Sequence, residues 1–131
     1  MKKTMKTQDL EDRLHAAVDV FKDNRMALNS YKTEHAGLMG RLAKLQEKVS
    51  KLQEKMSPNR PITPSSIYVA ETMSSTYEKI AYVLEDIASL QWEIHQAERA
   101  LASSVRKLAA NQARYVAITG KILPKWAAVR K

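Results

Sequence analysis

From Leu10 to Met56, residues of one stripe recur at alternating steps of four and three: Leu10, Leu14, Ala17, Phe21, Asn24, Leu28, Tyr31, His35, Leu38, Leu42, Leu45, Val49, Leu52, Met56. That alternation averages close to the period of an α-helix, so the stripe stays on one side over many turns. A near-perfect heptad repeat sits inside it. Residues 44–57 read Lys-Leu-Gln-Glu-Lys-Val-Ser and then Lys-Leu-Gln-Glu-Lys-Met-Ser. Persistence of this kind predicts a coiled-coil helix over 7–56 rather than an isolated surface helix. Thr7 is placed to cap it, with Asp9, Glu11 and Asp12 in the first turn, where the helix dipole favours acids.

Pro58, Pro61 and Pro64 stop that helix, because proline removes a backbone donor and clashes with the preceding turn. Residues 57–64 therefore read as a hinge. Thr63 followed by Pro64 is a helix start, and a second ladder follows over 65–119: Met73, Tyr77, Ile80, Leu84, Ile87, Gln91, Ile94, Glu98, Leu101, Val105, Leu108, Gln112, Tyr115. Gly120 and Pro124 end it. Residues 120–131 form a separate basic, Trp-containing tail. The whole of 1–131 reads as a single helical domain.

A short linker makes antiparallel neighbours the expectation. The ladders can be paired that way, with Val49 against Met73, Leu38 against Leu84, Leu28 against Ile94 and Leu14 against Leu108. This register centres the fold-back on Pro61 and sets two polar pairs in the seam, Asn24 with Glu98 and Tyr31 with Gln91. Charge supports the same sense. Residues 65–98 hold Glu71, Glu78, Glu85, Asp86, Glu93 and Glu98 against Lys79, and they face a stretch (41–60) with six bases and two acids. Residues 99–131 hold eight bases and no acid, beside a stretch (9–34) with six acids and four bases. The fold class is thus all-α: a long antiparallel two-helix coiled-coil hairpin that completes a bundle by self-association.

Self-association enters because the apolar surface is wider than one seam needs. One flank of the second ladder carries Ala81, Ala88, His95, Ala102, Ala109 and Val116; the other carries Val83, Leu90 and Ala97. Helix one adds Val18, Val20, Ala27 and Met39. Four positions in seven is a bundle pattern, so a second copy or a helical protein partner is expected to cover Met39, Val83 and Leu90. Trp92 falls outside both flanks and joins them as a contact residue, since tryptophan is over-represented at binding hot spots. Trp126 is expected to dock on its own chain.

Composition narrows the function. Cysteine is absent from the 131 residues, there are three glycines, and the formal charge is +8. No His-Glu-x-x-His run, phosphate-cradling glycine loop or nucleophile motif is present, and His15, His35 and His95 do not converge. An enzyme, a bound metal and a cofactor are therefore not expected. The basic start lacks a following apolar run, and no stretch approaches a membrane span, so a soluble cytoplasmic protein is expected. One pole gathers Lys2, Lys3, Lys6, Arg114, Lys121, Lys125, Arg130 and Lys131 around Trp126, a candidate contact for nucleic acid or an acidic partner. In shape and composition the chain is similar in outline to small coiled-coil accessory proteins of secretion machines and of bacteriophage particles. That likeness implies a non-enzymatic scaffold, adaptor or chaperone-like component of a larger assembly, with virion or secretion-apparatus association. A nucleic-acid-binding accessory role is the alternative.

Overall fold

The computed structural model describes residues 7–56 and 62–129. Two long helices, α1 (Thr7–Lys55) and α2 (Pro64–Thr119), pack against each other as an antiparallel hairpin, and a short 3-10 turn, Lys125–Ala127, follows. Of the proline hinge expected at 57–64, residues 57–61 lie outside the described residues.

The start of α2 is built as its sequence predicts. Thr63 Oγ1 accepts the Ser66 N–H at 3.3 Å, and Ser66 Oγ accepts the Thr63 N–H at 2.7 Å. This is a reciprocal capping box with serine in the place usually taken by glutamate. Pro64 occupies the first helical position, where its missing N–H costs nothing. At the other end Gly120 adopts φ 66°, a left-handed conformation in which a side chain would be strained, and its N–H bonds the Val116 carbonyl at 2.9 Å. By contrast Gly37 and Gly40 lie mid-helix with nothing within 4 Å of where a Cβ would stand, so no close approach explains them.

The chain divides into two compact units, one of Met1–Ser30 with Ile94–Lys131 and the other of Tyr31–Glu93. In the first, Leu10, Leu14, Val18, Phe21 and Leu28 from α1 cluster with Leu101, Leu108 and Tyr115 from α2. Leu14 and Phe21 are 0% and 1% exposed. Asn24 donates from Nδ2 to the Ala100 carbonyl at 3.3 Å, satisfying a seam amide. In the second unit Leu42, Val83 and Ile87 form the buried centre, with Leu38, Leu45 and Ile80 packed on it. Val49, Val69, Thr76 and Leu90 are also buried there.

These clusters correct the expected phase of α2. One line of its ladder stands: Ile80, Ile87, Ile94, Leu101, Leu108 and Tyr115 face the seam. As far as Ala97 the other line is displaced by one residue, to Thr76, Val83, Leu90 and Ala97; beyond it Ser104 is buried while the expected Val105 stays half-buried against the first unit's core. Tyr77 and Leu84 are each 48% exposed, and Gln91 and Glu98 are exposed as well. Leu38 accordingly packs in the cluster of Val83 and Ile87, to which Leu84 does not belong. Glu98 and Gln91, expected in the seam opposite Asn24 and Tyr31, are exposed instead, and Asn24 bonds the Ala100 carbonyl. The physical reason is that burying the carboxylate of Glu98 and the amide of Gln91 without partners costs more than exposing Leu84. Thr76 and Ser104 enter the seam cheaply instead. Each hydroxyl donates to a carbonyl of its own helix, Thr76 to Thr72 at 2.7 Å and Ser104 to Leu101 at 2.8 Å.

His35 sits on the α1 side of the second unit's seam, half-buried, and its Nε2 is enclosed without a hydrogen-bond partner among the described residues. Such an atom forfeits its water bonds and recovers nothing. His35→Leu should raise the unfolding free energy by about 1–2 kcal/mol, read as a higher urea midpoint at unchanged slope.

Candidate protein-binding surface

The residues proposed from sequence as an interface separate into two sets. Val83 and Leu90 are 1% and 6% exposed, buried in the hairpin's own seam rather than on an outer flank. Displacement of the ladder by one residue is the cause: what reads as an outer flank is the inner line. Val18, expected on the leftover surface of α1, is 3% exposed, within the cluster that the tail joins. Met39 and Trp92 do lie open, 45% and 61% exposed.

Turning the seam toward Val83 and Leu90 leaves a different line of α2 outward. At ~100° per residue, Tyr77, Ala81, Leu84, Ala88 and Trp92 fall within about 80° of arc. All five are exposed in the second unit. Tyr77 carries one polar tether on this side, its hydroxyl accepting from Gln53 Nε2 at 3.2 Å. Glu78 and Glu85 border the stripe, both exposed. In the first unit the corresponding line of α2 is His95, Ala102, Ala109 and Val116, all exposed, bordered by exposed Arg99 and Arg106. The flank of small residues in the sequence pattern, Ala81, Ala88, His95, Ala102, Ala109 and Val116, runs along this line, and Tyr77 and Leu84, expected in the seam, lie beside it.

The Trp-containing tail docks on the first unit. Gly120 turns the chain back, and Leu123, Trp126, Ala127 and Val129 pack on the first unit's core. The Trp126 ring stacks on His15 with centroids 3.5 Å apart and planes 4° from parallel. Gln112 Nε2 donates to the Ala127 carbonyl at 2.7 Å, so α1 and α2 both hold the tail. Self-docking of Trp126 is what the sequence led one to expect. Docked, it offers little open ring face for a base. Arg114, Lys121 and Lys125 are exposed beside it, while Lys2, Lys3, Lys6, Arg130 and Lys131 lie outside the described residues. Trp126→Ala should lower stability by about 2 kcal/mol, less than a fully buried tryptophan, and should speed hydrogen exchange in the last turns of α2 first.

One shallow groove lies on the second unit, lined by Tyr31, Glu34, Leu38, Asp86, Ser89, Leu90 and Glu93. Its lining mixes three carboxylates, Glu34, Asp86 and Glu93, with the apolar side chains of Leu38 and Leu90. Among the described residues no group of three or more His, Cys, Asp or Glu is arranged to hold a metal ion, and no helix is long and apolar enough to cross a membrane. Comparison with protein-family models, with curated proteins and with solved structures finds no match to this chain.

Proposed function

We propose that this protein is a non-enzymatic binding module, a coiled-coil scaffold or adaptor, which engages a protein partner through the outward face of α2. The supporting observation is the run of exposed Tyr77, Leu84 and Trp92 along one side of a helix that packs on α1 through a different face. Large apolar side chains lined up on a regular helix are ready to pack a second helix, and rigid aromatic anchors give such contacts much of their strength. The acidic border of Glu78 and Glu85 favours a partner surface carrying basic residues and disfavours an acidic one.

A photo-crosslinking amino acid in place of Leu84, introduced into the source cell, tests this reading. A protein adduct is expected from position 84 and not from position 82, which lies on another side of α2 and is also exposed. Absence of any protein adduct from position 84 would defeat the proposal. The nucleic-acid alternative draws on exposed Arg114, Lys121 and Lys125 and predicts salt-sensitive binding to non-specific duplex that is lost when those three are replaced by glutamine. The stacking of Trp126 on His15 weighs against it, because the aromatic that would receive a base is already engaged.

A further inference from the structure

We infer that the occupant of the outward α2 face is a second copy of this chain, its α2 running antiparallel to the first. The inference rests on the binding role proposed above and names the partner.

Size is the first argument. The outward face of the second unit presents large residues, Tyr77, Leu84 and Trp92, separated by Ala81 and Ala88; that of the first unit presents Ala102 and Ala109. An antiparallel α2 pair that sets Leu84 against Ala102 of the second copy also sets Tyr77 against Ala109 of the second copy. Large side chains then fill the space that small ones leave, which is how close-packed helix interfaces are made.

Charge is the second. The same alignment brings Glu85 and Glu78, which border the large-residue face, beside Arg99 and Arg106 of the second copy, which border the alanine face. A parallel pair would set acid against acid and base against base. Because the contact is isologous, each complementary pairing occurs twice, and Trp92 of one copy falls beside Trp92 of the other near the two-fold axis.

The chain has no cysteine, so single-cysteine variants report cleanly. In the purified full chain, Trp92→Cys should join into covalent dimers with a short bis-maleimide, and Tyr82→Cys should not. Sedimentation should show a dimer. Arg99→Glu with Arg106→Glu should weaken it at least about tenfold, as should Glu78→Arg with Glu85→Arg, and mixing the two double variants should restore it. Circular dichroism of each variant checks that the helices are intact. A monomer at every concentration, a dimer joined through position 82 instead of 92, or no recovery on mixing would overturn the second-copy assignment. A monomer whose position-84 crosslinker still captures a different protein would overturn this inference and leave the binding role standing. An absence of adducts of either kind would remove both.

Discussion

Val83→Asp should unfold the unit that contains it, whereas Leu84→Asp, one residue along, should leave it folded. Val83 is 1% exposed between Leu42 and Ile87, with no cation in its cluster to receive a carboxylate. The substitution removes about 2 kcal/mol of apolar burial and adds an unpaired buried charge, for a total of several kcal/mol. Leu84 is 48% exposed, and an aspartate there keeps its water. Its cost is limited to a part of one leucine's burial and to helix propensity, together about 1 kcal/mol. Urea unfolding at a dilution where the chain is monomeric distinguishes the two sites. Equal losses would mean that α2 does not have the phase described. The pair also separates stability from binding, because Leu84→Asp should abolish contact through the outward face without disturbing the hairpin.

That contrast marks where the sequence is legible. Helix ends, the antiparallel sense and one line of the α2 seam follow from long-range periodicity and from breakers such as Pro64 and Gly120, whose effects are local and strong. Choosing the second line required deciding between neighbours: Thr76 or Tyr77, Val83 or Leu84, Leu90 or Gln91, Ala97 or Glu98, Ser104 or Val105. Tyr77 and Leu84 pull toward the wrong line because they are larger or more apolar than the alternatives, whereas Val105 packs against the core beside Ser104. Leu90 and Ala97 pull toward the right one, since Gln91 and Glu98 are expensive to bury. The decisive physics lay in Thr76 and Ser104, whose hydroxyls bond their own helix carbonyls and so pass as apolar. Counting hydrophobicity alone hides that. Weighing the cost of the worst residue in each line, rather than the gain of the best, would have selected the observed seam and with it the correct outward face.

The tail was legible in part. Trp126 beside Gly120 and Pro124 points to a fold-back, but the sequence does not say that Val18 and His15 on α1 would receive it. Their recruitment depends on two helix ends coming together at the open end of the hairpin, a consequence of tertiary structure. There the tail supplies a third apolar layer, with Ala127 0% exposed, to a core that two helices alone could cover only on one side.

Phe21 lies in the same core cluster. Two-helix seams are thin, and a large side chain in one normally keeps an edge in water. Phe21 is 1% exposed, enclosed by the first unit's core, with the Arg25 guanidinium 5.3 Å from its ring centroid. Phe21→Ala removes most of an aromatic ring from this enclosure and leaves a cavity that α-helical backbones cannot close by collapsing, so the expected loss is about 3–5 kcal/mol. Phe21→Leu, which keeps most of the volume, should lose about 1 kcal/mol. Chemical denaturation of the two variants checks both values. If Phe21→Ala lost less than Phe21→Leu, or if neither shifted the midpoint, the first unit could not be packed as described. If the alanine variant instead lost only about 1 kcal/mol while Trp126→Ala lost nothing, the tail would not be closing this core in solution. If docking of the tail and burial of Phe21 share packing within the one core cluster, the double variant Phe21→Ala with Trp126→Ala should lose less than the two single losses combined; additive losses would mean that the two sites are independent.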